Sequence, residues 1–126
     1  MSAPILLVED ELACSATLRI AFEAAGVPSL EHTATAEQAL AILRERPVSV
    51  LITDIDLPSM NGLELIQKLR AEPRFRALPI IVTSAAADPT TRERALELGA
   101  TAFFGKPYSP IAIRQKIEEL MRDTTD

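Results

Sequence analysis

Short apolar runs alternate with longer amphipathic stretches along this whole chain. Each apolar run is only a few residues long and rich in Ile, Leu and Val, which suits a strand better than a helix. Such runs, without polar alternation, are typical of strands that are buried on both faces in a parallel sheet. The pattern therefore predicts an α/β fold, a doubly wound parallel sheet of five strands with helices on both faces.

Local signals place the individual elements. The predicted strands cover residues 4–8, 29–33, 48–54, 79–84 and 101–105, and the predicted helices cover residues 11–26, 36–46, 62–72, 89–98 and 110–121. Asp88-Pro89 and Ser109-Pro110 each put a capping side chain before a proline at the first helical position. Thr35 and Gln38 have the spacing of a capping box, which predicts the start of the second helix.

Length and composition indicate a single domain. The chain has 126 residues, of which 48% are apolar and 25% charged, and we expect one domain over residues 1–126, with a core at about 4–122 and a polar tail at 123–126. No apolar run is long enough to cross a membrane, and the N-terminus does not resemble a signal peptide. Cys14 is the only cysteine, so an internal disulfide is excluded and a cytoplasmic location is expected. A net charge of −5 and 4% aromatic residues argue against direct nucleic-acid binding.

Acidic residues follow two of the predicted strands. Glu9 and Asp10 come directly after the first strand, and the third strand ends at Asp54, with Asp56 two residues later. Ligands of open parallel sheets bind beyond the carboxyl ends of the strands, where the strand order switches. If the first and third strands are neighbours, Asp10 and Asp54 lie side by side, and a cation is needed to offset their repulsion. Carboxylate oxygens with open positions suit Mg²⁺.

A hydroxyl and an ammonium group are predicted at the same edge of the sheet. Ser84 ends the fourth strand and Lys106 follows the fifth. A hydroxyl, an ammonium group and a divalent cation around a carboxylate form a constellation that suits a phosphoryl group. A carboxylate can itself be the nucleophile and form an aspartyl-phosphate, and Asp54 is the best candidate because it is central. The turn after it, which ends at Gly62, starts the third helix, and Gly62 is predicted to allow a backbone geometry that other residues resist.

Taken together, four segments resemble the receiver domain of response regulators in bacterial two-component signalling. They read LLVEDE, LITDIDLPSMNGLEL, LPIIVTSAAAD and GATAFFGKPYS, and the likeness extends from Pro4 to about Arg122. The resemblance implies a flavodoxin-like (βα)5 fold with the strand order 2-1-3-4-5. It also implies a module that takes a phosphoryl group from a phosphohistidine onto Asp54 with Mg²⁺.

The resemblance assigns a role to each residue of the acidic site. Asp54 matches the phosphoaccepting aspartate, and Asp10 matches the principal acidic Mg²⁺ ligand. Glu9 is implied to act on the metal mainly through a bound water, and the backbone carbonyl of Asp56 matches the third protein ligand. Lys106 matches the lysine that pairs with a phosphoryl oxygen.

The resemblance also implies a conformational switch. Ser84 matches the switch hydroxyl, for which the adjacent Thr83 competes, and Phe103 matches an aromatic switch position where many relatives carry tyrosine. The bond between Lys106 and Pro107 is expected to be cis. The surface formed by the fourth helix, fifth strand and fifth helix is expected to change on phosphorylation.

The implied partners are a histidine kinase or a histidine phosphotransfer protein, an unidentified output partner and a phosphorylation-dependent dimer. The module is expected to catalyse only its own Mg²⁺-dependent phosphorylation and slow dephosphorylation, rather than to be a classical enzyme. Asp56 and Ala86 occupy positions that tune the lifetime of the phosphate in the family. His32, the only histidine, is expected to be an ordinary half-exposed strand residue, so the phosphohistidine must belong to another protein.

Two other functions remain open from the sequence. An aspartate-nucleophile phosphatase would use Asp54 as nucleophile and Asp56 as general acid. A receiver-like module that is independent of phosphorylation would only bind partners. In the first helix, Leu12, Ala16 and Ile20 form a second apolar stripe, which either covers loops or is a docking surface for a partner helix.

Overall fold

A computed structural model of the chain describes residues 3–10, 12–23, 28–86 and 88–123, with the side chains of residues 12–15 and 123 outside the description. The elements, in chain order, are β1 (Ile5–Val8), α1 (Leu12–Glu23), β2 (Leu30–Thr33), α2 (Ala36–Glu45), β3 (Val50–Asp54), α3 (Gly62–Arg70), β4 (Ile80–Ser84), α4 (Pro89–Leu98), β5 (Ala102–Gly105) and α5 (Pro110–Asp123). The predicted alternation of strands and helices is therefore confirmed.

The strands form one five-stranded sheet in the order β2-β1-β3-β4-β5, with every pair parallel. Every residue of β1, β3 and β4 is buried, as their continuous apolar runs predict. One face of the sheet packs against α2, α3 and α4, and the other packs against α1 and α5. The fold class and the strand order implied by the resemblance are both confirmed.

Side-chain caps set the start of the helices. The Thr35 Oγ accepts a hydrogen bond from the Gln38 backbone N–H at 3.1 Å, as the capping box predicts. The other half of the predicted box takes a different form, because the Gln38 Oε1 accepts from the Thr33 hydroxyl at 2.6 Å and the Ala34 N–H at 3.4 Å. The side chain of Gln38 thereby ties the end of β2 to the start of α2.

The third helix ends earlier than predicted. It stops at Arg70, and a single 3-10 turn follows over Pro73–Phe75. Glu72 is extended, with φ −96° and ψ 120°, because the ring of the following proline disfavours a helical residue in front of it. The prediction of a helix to residue 72 was therefore wrong by the two residues that precede this proline.

An arginine at the end of α3 holds the end of α4, a contact that sequence reasoning did not single out. The Arg70 guanidinium donates to the Gly99 carbonyl from Nε at 3.0 Å and from Nη2 at 2.8 Å. Its Nη1 donates to the carbonyls of Phe75 at 2.6 Å and Arg76 at 3.2 Å. Gly99 ends α4 with a φ of 118°, a left-handed conformation that favours glycine. Burial lowers the pKa of Arg70, which nevertheless stays charged.

The first helix exposes part of its predicted second stripe. Leu18 and Phe22 are buried against the sheet, whereas Ala16 is exposed and Ile20 is 71% exposed. The side chain of Leu12, the third member of that stripe, lies outside the described residues. In the part of the chain that the structure describes, no helix has the length and apolar character needed to span a bilayer.

Candidate functional site

Three carboxylates meet at the carboxyl ends of β1 and β3. These strands are neighbours in register, with Val8 opposite Thr53, so the residues that follow them lie side by side. Glu9, Asp10 and Asp54 each offer an oxygen, and these oxygens all lie within 4.8 Å of one another. Glu9 and Asp54 are buried, whereas Asp10 is exposed. The predicted juxtaposition of Asp10 and Asp54 is thus present in the fold.

Lys106 reaches this cluster from the end of β5. Its backbone N–H continues the sheet ladder to the Ser84 carbonyl at 2.8 Å. Its Nζ donates to Asp54 Oδ2 at 2.8 Å and to Glu9 Oε1 at 3.0 Å. The peptide bond between Lys106 and Pro107 is cis in the structure.

The charges of the site do not balance. Burial disfavours the ammonium group, but hydrogen bonds to Asp54 and Glu9 and their negative charges outweigh burial and raise the pKa of Lys106 above its ordinary value. One ammonium group faces three carboxylates, which leaves an excess of negative charge beside two buried side chains. Oxygen ligands with such an excess fit a hard divalent cation, so Glu9, Asp10 and Asp54 could hold Mg²⁺.

Asp56 borders the cluster without joining it. Its backbone N–H donates to Asp54 Oδ1 at 3.3 Å, and the residue is exposed. The Asp54 carboxylate therefore receives Lys106 on one oxygen and the Asp56 amide on the other. The Asp56 side chain is not part of the group of carboxylates that meet among the described residues.

Gly62 lies where other residues are resisted, through close packing rather than through its own φ. Its φ is not in the left-handed region. A Cβ at this position would instead clash with the backbone carbonyl of Asp54 and with the Cα of Ile55. The Gly62 N–H also donates to the Ile55 carbonyl at 2.9 Å. Close packing of the first turn of α3 on the backbone of Asp54 thus requires glycine.

The predicted switch residues lie on one side of the sheet. Side chains alternate along a strand, so Ser84 shares a side with Val82, and Phe103 lies opposite Val82 in register and packs against the same core cluster. Ser84 is fully buried, and its Oγ accepts from the Ala86 N–H at 3.0 Å. Thr83 is the register neighbour of Asp54 and lies on the opposite side of β4 from Ser84. Their roles in switching stay predictions.

His32 has a contact that sequence reasoning missed. The residue is half-buried, as predicted, but its Nε2 lies 2.5 Å from the backbone carbonyl of Glu9. The strand order could have indicated this contact, because it puts the end of β2 beside the acidic residue that follows β1.

The family model of the response regulator receiver domain matches residues 5–118 of this chain. The chain belongs to this family. The receiver domain is 34% identical over 122 residues to the phosphate regulon transcriptional regulatory protein PhoB of Rhizobium meliloti (strain 1021), an alignment that covers 97% of this chain and 53% of that protein. It is 27% identical over 114 residues to the probable chemotaxis protein CheY of Rhizobium etli, covering 90% of this chain and 88% of that one.

Solved structures agree with this assignment. The signal receiver domain of a signal transduction histidine kinase from Syntrophus aciditrophicus has a TM-score of 0.88 and 27% identity to this chain, covering 98% of this chain and 93% of that one. The receiver domain spans about half the length of the transcriptional regulators that it matches. Receiver domains belong to two-component signalling, where they partner with histidine kinases, and they are not a classical enzyme family.

Proposed function

We propose that Asp54 accepts a phosphoryl group from a phosphohistidine on a histidine kinase or a histidine phosphotransfer protein. One observation carries this proposal. The buried carboxylate of Asp54 lies 2.8 Å from the Lys106 ammonium and within 4.8 Å of the carboxylate oxygens of Glu9 and Asp10. A nucleophile that is held beside both a cation and a candidate metal site fits phosphoryl transfer, in which positioning and charge stabilisation supply most of the catalysis.

In the transfer, an Asp54 carboxylate oxygen attacks the phosphorus, the bond between phosphorus and the donor imidazole nitrogen breaks, and the imidazole leaves with its electron pair. Mg²⁺, when bound, offsets the repulsion among the carboxylates and stabilises the charge on the phosphoryl oxygens. Lys106 exchanges its hydrogen bond with the carboxylate for one with a phosphoryl oxygen. The product adds about two negative charges, by analogy with other phosphorylated side chains.

The proposed switch follows from this new charge. In this structure the Ser84 hydroxyl oxygen accepts a hydrogen bond from the Ala86 N–H at 3.0 Å. On phosphorylation this hydrogen bond breaks, and the hydroxyl donates to the phosphoryl group. Movement of Ser84 opens space beside Phe103, which turns inward on the same side of the sheet. This change shifts the equilibrium of α4, β5 and α5, the surface that an output partner or a second copy of the chain would recognise.

The intact mass of the protein after incubation with acetyl phosphate tests the proposal. We expect one phosphoryl group on wild type in the presence of Mg²⁺ and none with EDTA or in Asp54→Asn. Asp56→Asn is the matched control, because it removes an adjacent acid and keeps the backbone groups of that residue, and we expect it to accept phosphate.

Two results would contradict the proposal. Equal phosphorylation of Asp54→Asn would show that another residue is the acceptor. A folded wild-type protein that accepts no phosphoryl group from acetyl phosphate or from any phosphorylated histidine kinase or phosphotransfer protein of its own genome would indicate a module that only binds partners.

A further inference from the structure

We infer that His32 is a positioning residue for the metal-binding loop after β1, an inference that rests on the metal site of the proposed function. Its Nε2 lies 2.5 Å from the Glu9 carbonyl oxygen. A carbonyl oxygen only accepts, so the ring donates the hydrogen bond and carries a proton on Nε2. Glu9 and Asp10, two of the three clustered carboxylates, flank the peptide unit that receives this bond.

The position of this carbonyl shows where the His32 donor acts. The backbone N–H groups of Ile5 and Glu9 donate to β2, at the carbonyls of Ser29 and Thr33. The N–H and C=O of one residue point to the same side of a strand, so the Glu9 carbonyl also faces β2. Thr33 is the last residue of β2, and the chain then turns into the cap of α2 at Thr35. His32 thus provides a side-chain donor where the regular ladder ends.

This hydrogen bond acts on Asp10 through the backbone. The Glu9 carbonyl and the Asp10 N–H belong to one planar peptide unit, so a bond that fixes the carbonyl also fixes the direction in which the chain enters Asp10. Lys106 contacts Glu9 and Asp54, whereas Asp10 is the exposed member of the cluster. His32 and Lys106 therefore hold different parts of the site, the backbone of the loop in one case and two carboxylates in the other.

Binding of Mn²⁺, followed by the electron paramagnetic resonance signal of the free ion, tests the role of His32 without any phosphorylation. We expect His32→Phe, which keeps a ring and removes the donor, to raise the dissociation constant for Mn²⁺ by about tenfold, the lower end of what the loss of an outer-shell partner costs. His32→Gln keeps an N–H donor of similar reach and should restore most of the affinity.

A matched control separates positioning from general loss of stability. In wild type the Thr101 hydroxyl oxygen accepts a hydrogen bond from the Ile80 N–H at 3.0 Å, at the opposite edge of the sheet from His32. Thr101→Val removes this one hydrogen bond between a side chain and the backbone. It should lower the melting temperature in EDTA and leave the affinity for Mn²⁺ unchanged. If His32→Phe does not fold, His32→Gln is compared with His32→Asn instead. Both side chains end in an amide, but only the longer glutamine side chain is expected to reach the Glu9 carbonyl.

The outcomes separate a failure of the His32 inference from a failure of the proposed metal site. Equal affinity in wild type and all His32 variants would overturn the role of His32 and leave the phosphoacceptor proposal intact. A loss of affinity in Thr101→Val as large as in His32→Phe, or a failure of His32→Gln to bind better than His32→Phe and His32→Asn, would also overturn it. If wild type itself binds no Mn²⁺, the metal site of the proposed function is wrong, and the inference on His32 is wrong with it.

Discussion

The Lys106 Nζ lies 2.8 Å from Asp54 Oδ2, so an ammonium group that follows β5 meets a carboxylate that ends β3, across the intervening strand β4. The same ammonium group reaches Glu9 Oε1 at 3.0 Å, after β1. Three strand ends are therefore tied together by one side chain. This arrangement determines both the charge of the candidate site and the stability of the loops that form it.

Replacement of Lys106 by methionine should destabilise the protein at neutral pH. The variant leaves the buried carboxylates of Glu9 and Asp54 without the ammonium group that pairs with them. Removal of one partner of a largely buried pair costs about 2–4 kcal/mol after allowance for solvent. Urea unfolding at pH 7 measures this loss. Lys116→Met is the control, because Lys116 pairs with Glu119 at 3.5 Å on the surface of α5 and should cost less than about 1 kcal/mol. Equal losses in the two variants would contradict the role assigned to Lys106.

The same pair predicts a dependence on alkaline pH. Burial lowers the pKa of Lys106, but the hydrogen bonds and negative charges of Asp54 and Glu9 have the larger effect. The pKa in the folded protein is therefore above the value of about 10.4 expected in the unfolded chain. The folded state therefore holds this proton more tightly, so the stabilisation is complete below about pH 10.4 and is lost as pH rises through the folded pKa. The difference in unfolding free energy between wild type and Lys106→Met should shrink above that pH, and a difference that grows would contradict the assignment.

Replacement of Asp10 by asparagine should have opposite effects without and with Mg²⁺. Without metal, it removes one of three mutually repelling carboxylates and breaks no hydrogen bond to Lys106. Because Asp10 is exposed, water screens this repulsion, and the free energy of unfolding should rise by only about 1 kcal/mol. Added Mg²⁺ should raise the melting temperature of wild type and affect the variant much less. Thermal unfolding in EDTA and in MgCl₂ measures both effects, and an equal response of the two proteins to Mg²⁺ would argue against Asp10 as a ligand.

Gly62→Ala should impair phosphorylation as well as folding. The added Cβ would press on the Asp54 carbonyl and displace either α3 or β3, at a cost of about 1–3 kcal/mol. Gly99→Ala is the matched variant, because it is strained by its φ of 118° and by contact with Arg70, remote from Asp54. We expect both to unfold at lower urea concentration, and only Gly62→Ala to slow phosphorylation by acetyl phosphate. Equal rates in the two folded variants would contradict this explanation of Gly62.

Arg70→Ala should destabilise the protein by about 2–3 kcal/mol, since the carbonyls of Gly99, Phe75 and Arg76 lose charge-assisted hydrogen bonds. Arg70→Lys should recover little of this loss, because a single ammonium group cannot reproduce the planar fork that bridges α4 and the 3-10 turn. Chemical unfolding measures both variants. Arg76→Ala, which removes an exposed side chain from the same loop, is the control and should be nearly neutral. Full recovery in Arg70→Lys would show that charge alone is sufficient.

Ile20→Lys tests the predicted docking stripe on α1. Ile20 is 71% exposed, so the substitution should change stability by less than about 0.5 kcal/mol. If a phosphorylated donor protein packs on this helix, transfer from that donor should slow while phosphorylation by acetyl phosphate is unchanged. Ile111→Lys, at a residue of α5 that is 52% exposed, is the matched control. Equal transfer rates in both variants would place the docking surface elsewhere.

The secondary-structure elements and their layering follow from local patterns in the chain. The continuous apolar runs of β1, β3 and β4 leave no polar face, so these strands have to be covered on both sides. Asp88 and Gly99 delimit α4 because a capping carboxylate and a left-handed glycine act within one helical turn. The family resemblance added the strand order, and with it the meeting of Asp10 and Asp54. These features could be predicted because each depends on residues close together in the chain or on a recognised pattern.

The contacts between groups that are distant in the chain depend on the packing of the whole fold. Lys106 and Glu9 are separated by most of the chain, and no local pattern shows that one ammonium group serves both Glu9 and Asp54. The need for glycine at Gly62 arises from the backbone of another element, and the bond from His32 to Glu9 arises where a neighbouring strand ends. Local propensity and periodicity act over a few residues, whereas these contacts depend on how strands and helices pack in three dimensions. The chemistry of the site therefore depends on both, with residue types readable along the chain and their partners set by the fold.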